Sequence, residues 1–294
     1  MNRFNFLIIG SNGFIGNKLS KRLQECGHNI ITLKRISSTS LKKIVETSHI
    51  DYCLHAASGI VPSSSAHNFF EEYDNLISKT FLLVDICQQN NIPFIYLSSA
   101  GAIYEDSTSS ITEKSQLNQS TFYGASKHII EQYIIKKNLE KSLDYLILRP
   151  TNVYGRNLNN VNTNQGFIEN SIKQIILSKP INLYGSSSKY RDFLFVDDLV
   201  EIFLMLINKR VMNEIINIGS GKVNELKEII DQLYKLLNKK PNIKISKERS
   251  YDKKIIDIDI SMLNELINYK SMDIYCGLEY YLSSLNILSG DDRK

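Results

Sequence analysis

An α/β fold, with a doubly wound parallel sheet and a smaller mixed C-terminal part, follows from three observations. Short apolar runs alternate with longer helical patterns as far as residue 155. The first run, residues 4–9 (FNFLII), ends in glycines spaced Gly10-x-x-Gly13-x-x-Gly16. The chain of 294 residues is long enough for one large domain or two small ones, burying roughly three quarters of the unfolded surface.

Residues 4–9 are almost wholly apolar and read as a strand buried on both faces. From Phe14 the pattern is helical: Phe14, Ile15, Leu19 and Leu23 share one side, and Lys18, Lys21, Arg22 and Glu25 the other. Strand, glycine turn and helix together aim backbone N–H groups and a helix N-terminus at a pyrophosphate. Gly10 is expected to permit the turn, Gly13 to let phosphate approach, and Gly16 to let helix pack on strand. No Lys-Ser or Lys-Thr follows the last glycine, so this is not a Walker loop.

Residues 29–33 (NIITL) form a second strand, ending in Lys34 and Arg35. In a dinucleotide fold this place faces the adenosine ribose, where an acid favours a 2′-hydroxyl and cations favour a 2′-phosphate. NADP(H) is therefore the favoured cofactor, with NAD(H) as the alternative. Residues 41–47 are a short helix and residues 51–55 (DYCLH) a third strand. Only residues 36–50 separate Arg35 from Asp51, room for one helix and no further strand–helix pair. The small residues Ala56 and Ala57 follow, suiting a ligand's close approach. His55 is expected to be a packed core histidine.

Residues 69–89 form a long helix with an apolar stripe of Phe70, Tyr73, Leu76, Ile77, Phe81 and Val84. Residues 94–97 are a buried strand running into Ser98 and Ser99. A polar loop over 105–120 precedes a helix over 122–137, and residues 144–148 are the next strand. Beyond residue 155 come an asparagine-rich loop, helices over 165–178, 197–208 and 225–238, and short strands over 181–184, 193–196 and 215–218. The expected division is a dinucleotide-binding domain over 1–155, to which later elements add strands, and a mainly substrate-binding part over 156–294.

Hydrophobic content of 43% and charged content of 22% fit an ordinary globular protein. A net charge of +4, with lysines spread along helix faces, gives no footprint for nucleic acid. No stretch approaches 18 apolar residues, so no membrane span is expected. Residues 7–9 are too short for the apolar core of a secretion signal. Cys26, Cys53, Cys87 and Cys276 form no CxxC pair. Neither a metal site nor a disulfide framework is expected, and a cytoplasmic setting fits.

Ser99, Tyr123 and Lys127 form an acid–base set. Tyr123 and Lys127 are four apart on one helix face. A tyrosine ordinarily titrates near pH ~10, and a neighbouring ammonium favours its phenolate. Ser99 would hold a substrate oxygen beside the phenol. The set suits moving a hydride between a nicotinamide and a sugar or alcohol carbon while a proton moves on the oxygen.

Five segments now stand in order: Gly10 to Gly16, LSSAGAIY over 97–104, Tyr123-Gly-Ala-Ser-Lys127, LRPTNVYG over 148–155, and YRDFLFVDD over 190–198. Together they resemble the extended short-chain dehydrogenase/reductases, and within them the NAD-dependent epimerase/dehydratase family acting on nucleotide-diphosphate sugars. The resemblance implies a Rossmann-type fold with Ser99, Tyr123 and Lys127 as the catalytic triad. It makes Gly10, Gly13, Phe14, Ile15, Gly16, Ala56 and Ala57 cofactor residues, joined by Lys34, Arg35, Tyr123 and Lys127. Ser99, Asn152, Arg191 and Arg249 become substrate residues, the last three holding the diphosphate.

Three departures stand out. Lys34 replaces the usual acid, the segment after the second strand is short, and Glu105 replaces a glycine after Tyr104. One extra residue between Ser99 and Tyr104 leaves Ser98 as an alternative to Ser99. The implied activities are NADPH-dependent reduction of a 4-keto-6-deoxy sugar nucleotide for surface polysaccharide, or 4-epimerisation of a UDP-sugar with bound NAD. A 4,6-dehydratase is disfavoured because Ala100-Gly101-Ala102 stands where an acidic pair would aid elimination. A non-enzymatic dinucleotide sensor is the contrasting class. The resemblance also implies a homodimer paired through helices 69–89 and 122–137.

Overall fold

The computed structural model of the protein describes residues 3–33, 36–105, 107, 109–158, 166–185, 189–247 and 255–287. Lys34, Arg35 and Arg249 lie outside the described residues. The first half runs β1 (Asn5–Ile9), α1 (Phe14–Glu25), β2 (Asn29–Thr32), α2 (Ser38–Thr47) and β3 (Tyr52–His55). It continues through α3 (Ala66–Glu72), a π-helical turn (Tyr73–Ile77), α4 (Ser78–Gln89), β4 (Phe94–Leu97), α5 (Ala100–Ile103), α6 (Phe122–Lys141) and β5 (Tyr145–Pro150).

The second half begins with β6 (Asn152–Tyr154), α7 (Phe167–Ile176), β7 (Ile181–Tyr184), β8 (Tyr190–Phe195), α8 (Val196–Asn208) and β9 (Glu214–Ile218). It ends with β10 (Val223–Glu225), α9 (Leu226–Leu236), β11 (Ile243–Ser246), β12 (Ile255–Ile256), α10 (Ser261–Ile267) and α11 (Ile274–Ser284).

Six strands form one parallel sheet in the order β2-β1-β3-β4-β5-β9. The order reverses at β1, which has β2 on one side and β3 on the other. Such a switch point opens a crevice beyond the strands' carboxyl ends, where open α/β sheets hold their ligands. Only α2 lies between β2 and β3, as the short connection required.

The period of two along β1 divides the core. Phe6 and Ile8 face a layer containing Leu19, Leu23, Leu199 and Phe203 from α1 and α8. Leu7 and Ile9 face Leu41, Leu83, Ile130 and Ile134 from α2, α4 and α6. The chain thus returns from residue 196 onward to cover and extend the first sheet. A third cluster joins α7, α9 and α11 around β8 through Ile172, Leu233 and Leu278. The short strands β6, β10 and β12 pair with β8, and β7 pairs with β11. The strands β6, β10, β11 and β12 went unpredicted: they are two to four residues long and, unlike the equally short β3 and β4, are not runs buried on both faces.

One stripe departs from expectation. Phe70 is 65% exposed and Tyr73 41% exposed, whereas Ile77 and Val84 are fully buried. The π-helical turn at Tyr73–Ile77 explains this. A π turn closes on i→i+5, so it rotates the buried face relative to an unbroken α-helix. Ahead of the turn, the inward-facing residue is Glu72.

Candidate active site

The carboxyl edge of the sheet opens into a cavity of about 1900 Å³. Its floor includes the glycine turn. Gly10 has φ +89°, and a Cβ there would lie 2.7 Å from the Ala57 nitrogen. Gly13 N–H donates to the Gly10 carbonyl at 2.9 Å. A Cβ on Gly16 would come within 2.1 Å of that carbonyl oxygen. The turn is therefore closed by backbone on backbone, and α1 begins without a side-chain cap. Its first N–H groups face the crevice, an arrangement suited to a pyrophosphate. Gly10, Gly13, Phe14, Ile15, Ala56 and Ala57 line the cavity, with Gly16 packed behind them.

The next wall comes from β4 and α6. Ser99 follows β4 and starts α5, while Thr121 caps α6 by accepting from Gly124 N–H at 3.0 Å. A Cβ on Gly124 would meet the Ala102 carbonyl at 2.4 Å, so only glycine lets α6 start against α5. This close packing brings Tyr123 near Ser99, both lining the cavity. Ser98 also lines the cavity, but its buried hydroxyl has no protein partner.

Lys127 is buried one turn further along. Its Nζ donates to the Leu97 carbonyl at 2.9 Å and sits 5.7 Å from the Tyr123 ring centroid and 5.0 Å from that of Tyr96. Burial lowers its pKa to about 8, opposed by Glu72 and Glu131. Burial also pushes the Tyr123 phenol up, opposed by the Ser99 hydroxyl and reinforced by Glu72. The expectation of a Tyr123 pKa lowered by Lys127 is thus reversed, because desolvation is the dominant influence on the phenol.

Glu131 lies on α6 four residues after Lys127, but its charge is committed. Arg149 of β5 holds it through Nε–Oε1 at 3.1 Å and Nη2–Oε2 at 2.6 Å, both side chains being buried. The pair ties α6 to β5. Arg149 also donates to the Tyr104 hydroxyl at 2.7 Å, which in turn donates to Asn217. Tyr104, after the serine loop, is thus a buried strut.

On the far wall, Asn152 and Arg191 line the same cavity. Asn152 Nδ2 donates to the Asp192 carbonyl at 2.8 Å, and Arg191 Nη1 to the Tyr190 carbonyl at 2.7 Å. Burial raises the Asp192 carboxyl to about pH 6, while Ser220 and Gly221 hydrogen bonds resist the shift. His55 is fully buried, with Nε2 2.9 Å from the Thr80 hydroxyl. Burial lowers its pKa to about 3, so it is a neutral core residue.

Among the cavity residues that sequence reasoning missed, Arg156 and Glu72 carry charge. Arg156 sits over the Phe14 ring, 4.8 Å from its centroid, with only its place after Gly155 as a signal. Glu72 is 7% exposed and accepts the Gly59 N–H at 2.8 Å. Its signal was a carboxylate four before Leu76, hidden by the assumption of an unbroken helix.

A model of the NAD dependent epimerase/dehydratase family matches residues 6–219. The chain belongs to this family. It is an enzyme of the extended short-chain dehydrogenase/reductase type. This family member is 26% identical to a putative UDP-glucose 4-epimerase of Methanocaldococcus jannaschii, across 76% of this chain and 80% of that protein. It is 30% identical to a dTDP-4-dehydro-6-deoxyglucose reductase of Escherichia coli, across 68% of this chain and 63% of that one. Its fold matches the Thermotoga maritima UDP-glucose 4-epimerase solved with UDP-glucose, with TM-score 0.86 and 22% identity over 95% and 97% of the two chains. The Thermus thermophilus UDP-glucose 4-epimerase solved with NAD gives 0.85 and 18% over 98% and 100%.

Among the described residues, no helix is long and apolar enough to cross a membrane.

Proposed function

We propose that this enzyme carries out nicotinamide-dependent redox chemistry at C4 of a nucleotide-diphosphate sugar, reducing a 4-keto-6-deoxy sugar for surface polysaccharide. The observation that carries the reading is one cavity holding a phosphate cradle, the Ser99–Tyr123–Lys127 set, and Asn152 with Arg191. The residues fit a dinucleotide: glycine at 10 and 16 lets the turn close tightly, since a Cβ at either would strike backbone, and the uncapped N-terminus of α1 faces the cavity.

A dihydronicotinamide, when bound in this cradle, would be the source of the hydride for C4. Tyr123 donates its proton to the C4 oxygen as the ketone becomes an alcohol. Ser99 holds that oxygen beside the phenol, and Lys127 offsets the negative charge left on Tyr123. Asn152 and Arg191, with Arg249, bind the sugar nucleotide's diphosphate, for which planar guanidiniums are suited. Lys34 and Arg35 would favour a 2′-phosphate, hence NADPH, and the likeness to the E. coli reductase agrees with this direction.

The second reading is a UDP-sugar 4-epimerase with tightly held NAD, favoured by the M. jannaschii relative and the fold neighbours. In it Tyr123 would take the proton of the C4 hydroxyl as the C4 hydrogen leaves as hydride to the nicotinamide, and would return that proton to the oxygen once hydride comes back to the other face. In either reading the enzyme is a cytoplasmic homodimer.

Release of bound cofactor by denaturation, identified by mass spectrometry, separates the two. An empty site that takes up NADPH in preference to NADH supports the reductase, and retained NAD supports the epimerase. Tyr123→Phe should lower turnover of the matching sugar nucleotide roughly 10²–10⁴-fold. Turnover unchanged by that substitution would overturn the catalytic assignment.

A further inference from the structure

Glu72 has no part in the reading above, yet it closes the group around Lys127. It ends α3, immediately before the π-helical turn, and lines the same cavity as Tyr123 and Lys127. It is a glutamate buried to 7% exposure. Oε1 accepts the Gly59 N–H at 2.8 Å, and Oε2 lies over Gly59, where an added Cβ would come within 2.5 Å of it. Among the described residues it forms no ion pair.

The charged and titratable groups facing Lys127 can be named element by element. From β3 comes His55, held neutral by burial. From β4 comes Tyr96, whose phenol burial pushes well up. From α6 itself come Tyr123 and Glu131, and from α3 comes Glu72. Glu131 is already neutralised by the bidentate Arg149. Glu72 is thus the uncompensated carboxylate of the group, and the buried ammonium at Lys127 its uncompensated cation. A buried charge with no counter-charge is costly, so two opposite buried charges in one cavity wall offset each other's cost.

We propose that Glu72 is the counter-charge of the Lys127 ammonium, a positioning residue that sets the pH range over which Lys127 can support proton exchange at Tyr123. This rests on the redox reading of Lys127. The effect strengthens when a ligand fills the cavity and displaces water, because charges interact more strongly at lower dielectric. Directions agree: Glu72 raises the Lys127 pKa against the downward pull of burial.

The test is the titration of lysine Cε resonances in ¹³C-labelled protein without cofactor or substrate, with the Lys127 signal assigned by Lys127→Met. Glu72→Gln keeps an acceptor for Gly59 N–H and removes only the charge. It should move the Lys127 midpoint down from about 8 by about one pH unit or more. Glu72→Asp should restore most of that shift. An unchanged midpoint in Glu72→Gln overturns the proposal, as does an equal shift in both variants, which would trace to packing. Once a substrate is in hand, the alkaline limb of the kcat profile should move the same way in Glu72→Gln. A midpoint shift without any sugar-nucleotide turnover would leave the counter-charge standing and sink the proposed reaction, so the two fail separately.

Discussion

The glycine turn between β1 and α1 admits no side chain, whereas the end of α3, across the same cavity, buries a carboxylate. At the turn every close contact is backbone on backbone: Gly16 sits on the Gly10 carbonyl, and Gly10 on Ala56 and Ala57. At the α3 end the chain is held by a charged side chain on the Gly59 N–H. The first region makes room for a ligand's negative charge by excluding atoms. The second brings its own negative charge. Lys127 lines the cavity that both regions share.

The largest expected effect comes from filling the turn. Gly16→Ala drives a Cβ to 2.1 Å from a backbone oxygen that cannot move without unseating Gly10. We expect a loss of about 3 kcal/mol or more, with dinucleotide binding lost even where the fold survives. Gly27 is the control. It has φ +86° but nothing within 4 Å of an added Cβ, so Gly27→Ala should cost only the left-handed strain, about 1–2 kcal/mol. Urea unfolding and dinucleotide titration of both variants would make the comparison. Equal losses at the two glycines would mean that conformation, not close approach, explains the turn.

Where the two regions meet, the expected effect depends on pH. The folded pKa of Lys127, about 8, lies below its ordinary 10.5. Between those values the unfolded chain binds the proton more tightly, so this residue's contribution to stability rises with pH through the window. Below about pH 8 the folded protein carries the full cost of the buried ammonium, of order 3 kcal/mol. Lys127→Met removes that dependence and leaves the Leu97 carbonyl without its donor at every pH. The variant's stability relative to wild type should therefore decline by up to about 3 kcal/mol from pH 7.5 to pH 10. Paired urea melts of cofactor-free protein read this difference, and a flat difference would show that Lys127 is not strained in the ligand-free site.

The same contrast explains what was legible in the sequence. The glycine turn, the alternation of strand and helix through β5, and the place of Tyr123 and Lys127 were readable because each rests on local spacing. The missing strand–helix pair after β2 was readable because a chain of that length cannot hold one. Glu72 was not, because a π turn leaves no signature in a hydrophobic period, and the expected stripe through Phe70 and Tyr73 followed α geometry. The Tyr123 pKa was misread for a related reason: spacing shows that Lys127 is near, but not that both groups are buried. The far wall is built by β6, β8, β10 and β12, whose pairing joins residues 152 to 256 and has no local pattern. Glu131 and Arg149 are 18 residues apart on α6 and β5, and they meet only because those two elements pack.

The smallest effect on the monomer tests the face that the π turn releases. Phe70, Tyr73, Phe122 and Ile129 are 65%, 41%, 41% and 41% exposed on α3, the π turn and α6, and Phe69 reaches Phe122 with ring centroids 5.5 Å apart. A homodimer paired through these helices would cover this apolar surface. Phe70→Ser should then leave the unfolding free energy of the dilute monomer within about 0.5 kcal/mol of wild type, while weakening self-association seen by light scattering. Ile77, one residue group later and fully buried, should behave oppositely, with Ile77→Ala costing about 2–5 kcal/mol at any protein concentration. If Phe70→Ser destabilised the dilute monomer as much as Ile77→Ala, the helix would bury one unbroken stripe after all. Glu72 would then have no reason to face inward.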